Sequence, residues 1–425
     1  MRETARHVAS YYAASLVETP SYPALDVDID TDVCVVGGGF TGLSVALELA
    51  QRGVGVVLLE AQRIGWGASG RNGGQLIQGM AEVARFERYL GADAAQRLWQ
   101  LGVDCVALVR ERIARYGIDC ELRMGVFEAA TKPRHLDALQ AYLDDGQRRG
   151  YPHAMAFIGR DRVREVVNSD RYLGGVLDWG SGHLNPLKLC VGEARAAAAL
   201  GAKLFENTPA LRIRPGSRVE VHTATGRVNA AQVVLAGNAY LGRLNRYLQG
   251  RVLPAGSYIV ATEPLGRLAE ELLPQNTAVC DQNVALDYFR LTPDRRLLFG
   301  GLCNYSGREP RDIAASLRPG MERVFPQLRG KHIDYQWGGH LGISLNRVPQ
   351  IGRRPGNVYY AQGYSGHGLG TSHMAGKILA DAICGDTQII ELFEKVPHWK
   401  LPGGRWFASP ALALGMNYFR FRDWF

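Results

Sequence analysis

Asp32-Val33-Cys34-Val35-Val36 is a short apolar strand that runs straight into Gly37-x-Gly39-x-x-Gly42. A helical pattern follows, with Leu43, Val45, Ala46, Leu47, Leu49 and Ala50, and a second apolar strand, Val54 to Leu59, ends on Glu60. Each part has a mechanical job. Gly37 permits the tight turn, Gly39 lets the backbone approach a pyrophosphate seated on the helix N-terminus, and Gly42 lets helix and strand pack closely. A carboxylate about twenty residues beyond the turn takes ribose hydroxyls. A bare GxGxxG is weak in a chain where 51 of 425 residues are Gly, since an ordinary Gly-rich turn also matches it. The strand–turn–helix–strand–acid order carries the inference of a bound dinucleotide, without choosing between NAD and FAD.

The length suggests two or three domains, each able to bury a core. A net charge of +8 without a long Lys/Arg run excludes a nucleic-acid module. It suits solubility and attraction of anionic substrates. Seven scattered Cys (34, 105, 120, 190, 280, 303 and 384) form no CxxC pair. They read as reduced thiols of a cytoplasmic protein, with no metal site. Met1 to Tyr12 is not a secretory signal, and no apolar run reaches the ~18–20 residues of a spanning helix.

Tyr11 to Asp30 reads as an arm on the surface. Helices are expected over Glu82–Gly117, His135–Arg149, Val163–Val167, Pro186–Leu200, Ile313–Phe325 and Ser372–Ile383. Short strands are expected over Met124–Ala130, Gly175–Trp179, Lys203–Glu206, Ala210–Ile213, Val219–His222, Gln232–Leu235 and Val358–Ala361. Val252–Thr262, Ala285–Arg290 and Arg296–Gly300 look like longer antiparallel strands. The mixed order suggests an α/β fold with a Rossmann-like nucleotide domain in discontinuous segments and an inserted antiparallel sheet with helices. The expected division is an arm over 1–29, nucleotide segments 30–80, 180–240 and 335–385, a substrate domain over 81–179 and 241–334, and an aromatic tail over 386–425.

Two further Gly-rich loops identify the nucleotide. One follows Glu60: Arg63-Ile64-Gly65-Trp66-Gly67-Ala68-Ser69-Gly70-Arg71-Asn72-Gly73-Gly74-Gln75. The other, Gln362-Gly363-Tyr364-Ser365-Gly366-His367-Gly368-Leu369-Gly370-Thr371, opens a helix. With these loops the chain resembles the D-amino acid oxidase superfamily of FAD enzymes, which includes sarcosine and glycine oxidases. Within it, the likeness is to bacterial γ-glutamylputrescine oxidases. The Tyr-rich arm, Ser257-Tyr258-Ile259-Val260-Ala261-Thr262-Glu263-Pro264, Leu297-Leu298-Phe299-Gly300-Gly301 and the aromatic tail fit as well.

The resemblance implies FAD and assigns residues to it. Gly37, Gly39, Phe40, Thr41 and Gly42 fall at the pyrophosphate, Glu60 and Ala61 at the adenosine ribose. Arg63, Trp66, Gly67, Ala68, Ser69, Asn72, Gly73, Gly74 and Gln75 fall along the pyrophosphate, ribityl chain and flavin ring. Leu211 touches adenine through its backbone, and Ala236 and Gly237 close over the nucleotide. Gly339, Leu341, Gly342, Gly363, His367, Gly368, Leu369, Gly370 and Thr371 lie along the isoalloxazine. Arg63 reads equally as a phosphate contact and as a solvated surface charge; His367 reads equally as a flavin contact and as a turn residue. Relatives that bind flavin covalently use a Cys, and the matching stretch Gly338-Gly339-His340-Leu341-Gly342 has none, so non-covalent FAD is expected.

Members that oxidise small amino acids grip the carboxylate with a Lys after the GHG turn and an Arg just beyond the first loop. Here those places read Gly370 and Gln78. The resemblance therefore implies oxidation of an amine C–N bond to an imine and then an aldehyde, on γ-glutamylputrescine or a related glutamylated polyamine. The alternatives are a D-amino acid or N-methyl amino acid dehydrogenase and a flavin-binding protein without turnover. Tyr258, Tyr288, Trp337 and Tyr364 are candidate substrate walls. Arg290 is a candidate for a distal carboxylate or else a solvated strand residue. His340 is the titratable candidate for catalysis or else a structural His. No Lys stands in Arg295-Arg296-Leu297-Leu298-Phe299, which leaves O2 and an electron carrier both open as acceptor. The tail aromatics beside cations read as packing on the body or on a second subunit, with a membrane interface as the alternative.

Overall fold

The computed structural model describes residues 6–18, 20–283, 286–304 and 309–400. Two large sheets organise them. The first runs, in spatial order, Gln350–Arg354, Val358–Gln362, Arg227–Leu235, Ile29–Val36, Val56–Leu59 and Lys203–Phe205. Ile29–Val36 pairs in parallel with both Arg227–Leu235 and Val56–Leu59. Val33 to Val36 and Val56 to Leu59 are wholly buried, as parallel strands covered on both faces require. The helices Phe40–Gln51 and Gly368–Ile383 pack against each other over this sheet.

The second sheet runs Ile333–Ser344, Val252–Thr262, Leu297–Asn304, Tyr288–Leu291, Ala278–Asp281, Arg123–Ala130, Gly174–His183 and Gln75–Leu76. Its pairings are antiparallel except for Ala278–Asp281 beside Arg123–Ala130. The Val252–Thr262 strand has the bounds read from the sequence. The helix expected over Pro186–Leu200 runs Pro186–Ala199, with the Asn185 side chain accepting from Lys188 N.

Several expectations need correction. The pattern over Glu82–Gly117 is two helices, Val83–Leu90 and Ala92–Arg115, because Gly91 takes φ 82 between them. These helices side with the nucleotide segments. Leu98, Cys105, Val106 and Val109 share one core with Val33, Leu43 and Ile378. The segment from 335, expected with the nucleotide domain, begins inside the Ile333–Ser344 strand of the second sheet. Its apolar alternation is hidden by glycines, and those glycines answer to close neighbours. A Cβ on Gly342 would lie 2.1 Å from Asn238 Oδ1, and one on Gly338 2.8 Å from the Tyr258 ring.

The N-terminal arm is more deeply seated than a surface segment. Tyr11–Ala14 forms one helical turn, and Tyr12 is fully buried with Leu187, Ile259, Leu298 and Trp337. Tyr11 Oη donates to Asp294 Oδ1 at 2.9 Å, and the Tyr12 and Trp337 rings meet edge to face at 5.3 Å. From the tail, Gln388–Lys395 is a helix whose Phe393 packs on Phe86. The tail aromatics from Trp406 onward, and the subunit contact expected of them, lie outside the described residues. Among the described residues no helix is long and apolar enough to cross a membrane.

Candidate active site

One cavity of about 550 Å³ joins the two sheets. At its first end the strand Ile29–Val36 delivers Gly37, with φ 116, to the turn. Gly39, Phe40 and Thr41 line the wall there. Gly39 begins the Phe40–Gln51 helix without a side-chain cap of its own. The first-turn N–H of Phe40 donates to Ser69 Oγ at 3.0 Å, from the neighbouring loop. Uncapped helix N-termini present N–H donors and a partial positive charge, which suit an anion.

Glu60 and Ala61 line the same end. Glu60 is fixed by two backbone donors, Gly38 N at 2.7 Å and Gln62 N at 2.8 Å. Burial pushes its carboxyl up, against the pull of those N–H groups. Trp66, Gly67, Ala68, Ser69, Asn72, Gly73 and Gln75 continue the lining, with Ala236 and Gly237 opposite. The Asn72 amide donates to Ala68 O and Ser69 O and its oxygen accepts from Gly74 N, which holds the loop in shape.

At the other end the lining is Gly339, His340, Leu341 and Gly342 on one side, and His367, Gly368, Leu369 and Gly370 on the other. The Gly368–Ile383 helix also starts without a side-chain cap. Tyr364 lies between the ends, its hydroxyl 2.5 Å from Thr41 Oγ1, and burial pushes its phenol up. Tyr288 reaches the cavity from the second sheet, with Ser257 Oγ 3.2 Å from its hydroxyl.

The remaining sequence candidates stand off the cavity, each for a visible reason. Gly42 is where the helix crosses the turn: a Cβ there would lie 1.9 Å from Gly37 O. Arg63 pairs with Glu206 at 3.2 Å and donates to Pro20 O, so it pins the arm and is neither phosphate contact nor free surface charge. Gly74 packs under Leu184 O, Gly363 N donates to Asn238 Oδ1, and Thr371 Oγ1 donates to Gly79 O. Leu211 is 60% exposed, and its N–H is spent on His222 O; Pro209 and Ala210 line the cavity in its place. Tyr258 is buried in the core of the second sheet. Trp337 donates to Arg71 O and packs on the arm. Arg290, only 2% exposed, donates to Gly73 O, Leu291 O and Tyr12 Oη, so it is neither solvated nor available to substrate.

The cavity also has walls that were not singled out: Arg71, Asn238, Tyr240, Cys280 and Cys303 among them. Asn238 and Tyr240 continue the Ala236-Gly237 turn, which was the available signal. Tyr240 Oη accepts from His340 N at 3.0 Å. Cys280 and Cys303 lie on strands whose facing depends on register.

Two uncapped helix ends, a glycine cradle and a buried acid on one continuous cavity fit an extended dinucleotide of FAD size. A Cβ on Gly37 would press on the backbone of Ala236 and Gly237, so the cradle keeps its shape only with glycine there. A family profile described as "DAO: FAD dependent oxidoreductase" matches residues 32–382. The chain belongs to this family. The FAD-dependent oxidoreductase is 42% identical over 420 residues to a gamma-glutamylputrescine oxidoreductase of Escherichia coli, covering 98% of each chain. It is 38% identical to a probable oxidoreductase, OrdL, of Haemophilus influenzae, covering 98% of this chain and 97% of the other. Its fold is that of the crystal structure of L-proline dehydrogenase from P. horikoshii, with TM-score 0.73 and 21% identity over 88% of this chain and 98% of that one.

Proposed function

We propose that this FAD-dependent oxidoreductase oxidises the primary amine of γ-glutamylputrescine, or of a closely related glutamylated polyamine, to an imine that hydrolyses to an aldehyde. The observation that carries the reading is that neither of the two places where small-amino-acid oxidases hold a carboxylate-gripping cation has one here. Gly370 lines the cavity against Cys105, where a side chain has no room: a Cβ would lie 2.6 Å from Cys105 Sγ. Gln78 is turned away to Tyr142 Oη. A carboxylate on the reacting carbon would thus be desolvated without a partner at either place, at a cost of several kcal/mol. An amine whose reacting carbon carries no carboxylate meets no such penalty. The 42% identity to a protein of that printed activity supports the same substrate class.

When bound, FAD supplies the acceptor of a hydride equivalent. The chain supplies the surroundings. Tyr288, Tyr364, Leu286 and Leu341 give the cavity an apolar and aromatic wall. Such a wall excludes water and favours the neutral amine over the ammonium. The uncapped start of Gly368–Ile383 places N–H donors where negative charge is favoured. His340 lines the site, its backbone N–H held by Tyr240, which orients the segment without requiring the imidazole as a base. Among the described residues the cysteines form no disulfide, which is compatible with a reducing setting.

Anaerobic mixing with a panel of amines tests the reading. γ-Glutamylputrescine should bleach the flavin absorbance, and sarcosine and D-alanine should not. Bleaching by the amino acids alone would overturn it. Peroxide release in air then separates oxygen from a protein carrier as acceptor.

A further inference from the structure

Arg71 is the cavity's most constrained cation, and part of it is unused. Nε donates to Trp66 O at 2.7 Å and Nη1 to Gly338 O at 3.3 Å. The guanidinium carbon lies 4.2 Å from the Trp66 ring centroid, and Gly339 leaves room for its stem. Its remaining nitrogen, Nη2, is buried without a hydrogen-bond partner among the described residues. Burying an unmatched guanidinium nitrogen is costly, and the planar fork is suited to a carboxylate. A rigidly held, half-satisfied Arg on a cavity wall is arranged for an anion that arrives from outside the chain.

Glu309 is an exposed residue beside the same Gly338, outside the lining of the cavity itself. A Cβ on Gly338 would lie 2.8 Å from Glu309 Oε1, on the residue whose carbonyl Arg71 already holds. The Glu309 carboxylate acts electrostatically on Arg71, yet among the described residues the guanidinium donates only to Trp66 O and Gly338 O and Nη2 has no partner. A half-satisfied cation on the cavity wall and an exposed anion beside the same glycine match a group that carries both charges and reaches from the cavity toward solvent.

We propose that Arg71 and Glu309 read a zwitterionic amino-acid head at the non-reacting end of the substrate, Arg71 taking its carboxylate and Glu309 its ammonium. The inference rests on the amine-oxidising reading above and deepens it. It gives the distal carboxylate to Arg71, since Arg290 is consumed by Gly73, Leu291 and Tyr12. The competing source of the same charge is the reduced flavin, and the test separates the two.

The FAD-loaded enzyme and its R71M, R71K and E309Q variants are compared on three amines. These are γ-glutamylputrescine, N-glutarylputrescine, which lacks the α-ammonium, and N-(4-aminobutanoyl)putrescine, which lacks the α-carboxylate. Binding of γ-glutamylethylamide, a head group without a reacting amine, is read from the flavin absorbance. R71M should weaken that binding and raise KM for γ-glutamylputrescine by about 30-fold or more, as loss of a buried charge partner does. The preference for γ-glutamylputrescine over the 4-aminobutanoyl amine should collapse, with R71K intermediate. E309Q should raise KM for γ-glutamylputrescine and not for N-glutarylputrescine.

An R71M enzyme that keeps both the γ-glutamylethylamide affinity and the substrate preference would overturn the inference. So would an R71M enzyme whose flavin midpoint potential and kcat fall equally for all three amines, because Arg71 would then serve the flavin. Equal effects of E309Q on glutamyl and glutaryl amines would remove Glu309 from the reader. If R71M loses FAD, R71K and E309Q still decide. Wild-type flavin bleached by γ-glutamylputrescine with these variants unaffected sinks this inference alone; wild-type flavin not bleached by it sinks the amine reading.

Discussion

Replacing Gly37 by Ala puts a methyl group where backbone already stands. With φ at 116, a Cβ there would lie 2.9 Å from both C and O of Ala236 and 3.1 Å from Gly237 N. None of these atoms is the loose end of a side chain, and the Ala236 N–H is tied to Val36 O at 2.8 Å. The left-handed conformation costs a non-glycine roughly 1–2 kcal/mol. Overpacking against fixed atoms adds roughly 1–3 kcal/mol. The sum of roughly 2–5 kcal/mol converts, at about 1.4 kcal/mol per factor of ten, to a loss of about 30-fold to several thousand-fold in FAD affinity where the strain is released by shifting the cradle. Gly53→Ala is the control. Gly53 has φ 74 but nothing within 4 Å, so it reports the conformational part, roughly 1–2 kcal/mol, without the clash. Titration of apoprotein with FAD, followed by flavin fluorescence, and melting of both apoproteins give the two quantities. A Gly37→Ala protein that binds FAD like Gly53→Ala and melts with it would refute the close-approach reasoning.

Arg290→Met removes charged donors from Gly73 O, Leu291 O and Tyr12 Oη, and should cost roughly 2–4 kcal/mol in urea unfolding while KM of the folded enzyme stays put; a raised KM at unaltered stability would return Arg290 to the substrate. Burial pushes the Glu128 carboxyl up to about 7 from an ordinary 4.5, so the folded state holds that proton more tightly than the unfolded chain does. Its stabilising contribution is therefore full below the ordinary value and lost as pH rises toward 7. Glu128→Gln should flatten the fall of Tm across that window, and an unchanged slope would show that the group is solvated. Acid precipitation should release free FAD, since burial raises the Cys280 thiol far above its ordinary range and thiolate is the nucleophile; flavin left on the polypeptide would refute non-covalent binding.

The nucleotide end of the site was legible because glycine motifs record backbone demands directly. Gly37, Gly39 and the loop Gly363–Thr371 announce turns and helix starts that no other residue fits, and all three bring backbone to the cavity or its rim. The substrate end was not legible in the same way. Whether Tyr258 or Ser257 faces the cavity turns on a one-residue register that sequence alternation cannot fix when both faces of a strand are buried. Arg290 reads as an exposed strand charge until its register beside Leu298 places it under Gly73. Glycines 338, 339 and 342 resemble a loop, and only the neighbours that fill their missing side chains show a strand. Arg71 stood inside a recognised loop, but its role depends on Gly338, which is 267 residues away.

The buried arm has a consequence for how the chain is made. Tyr12 leaves the ribosome 278 positions ahead of its hydrogen-bond partner Arg290. At about 5–20 residues per second, the arm waits roughly 15–55 seconds for Arg290 alone, and longer for Trp337 and the last strand of the sheet. Arg63 and Glu206 can tether its root earlier, whereas Tyr11 and Tyr12 can latch only onto a finished second sheet. Seating of the arm is thus a late step of biogenesis, and it reports that the rest of the molecule is already in place.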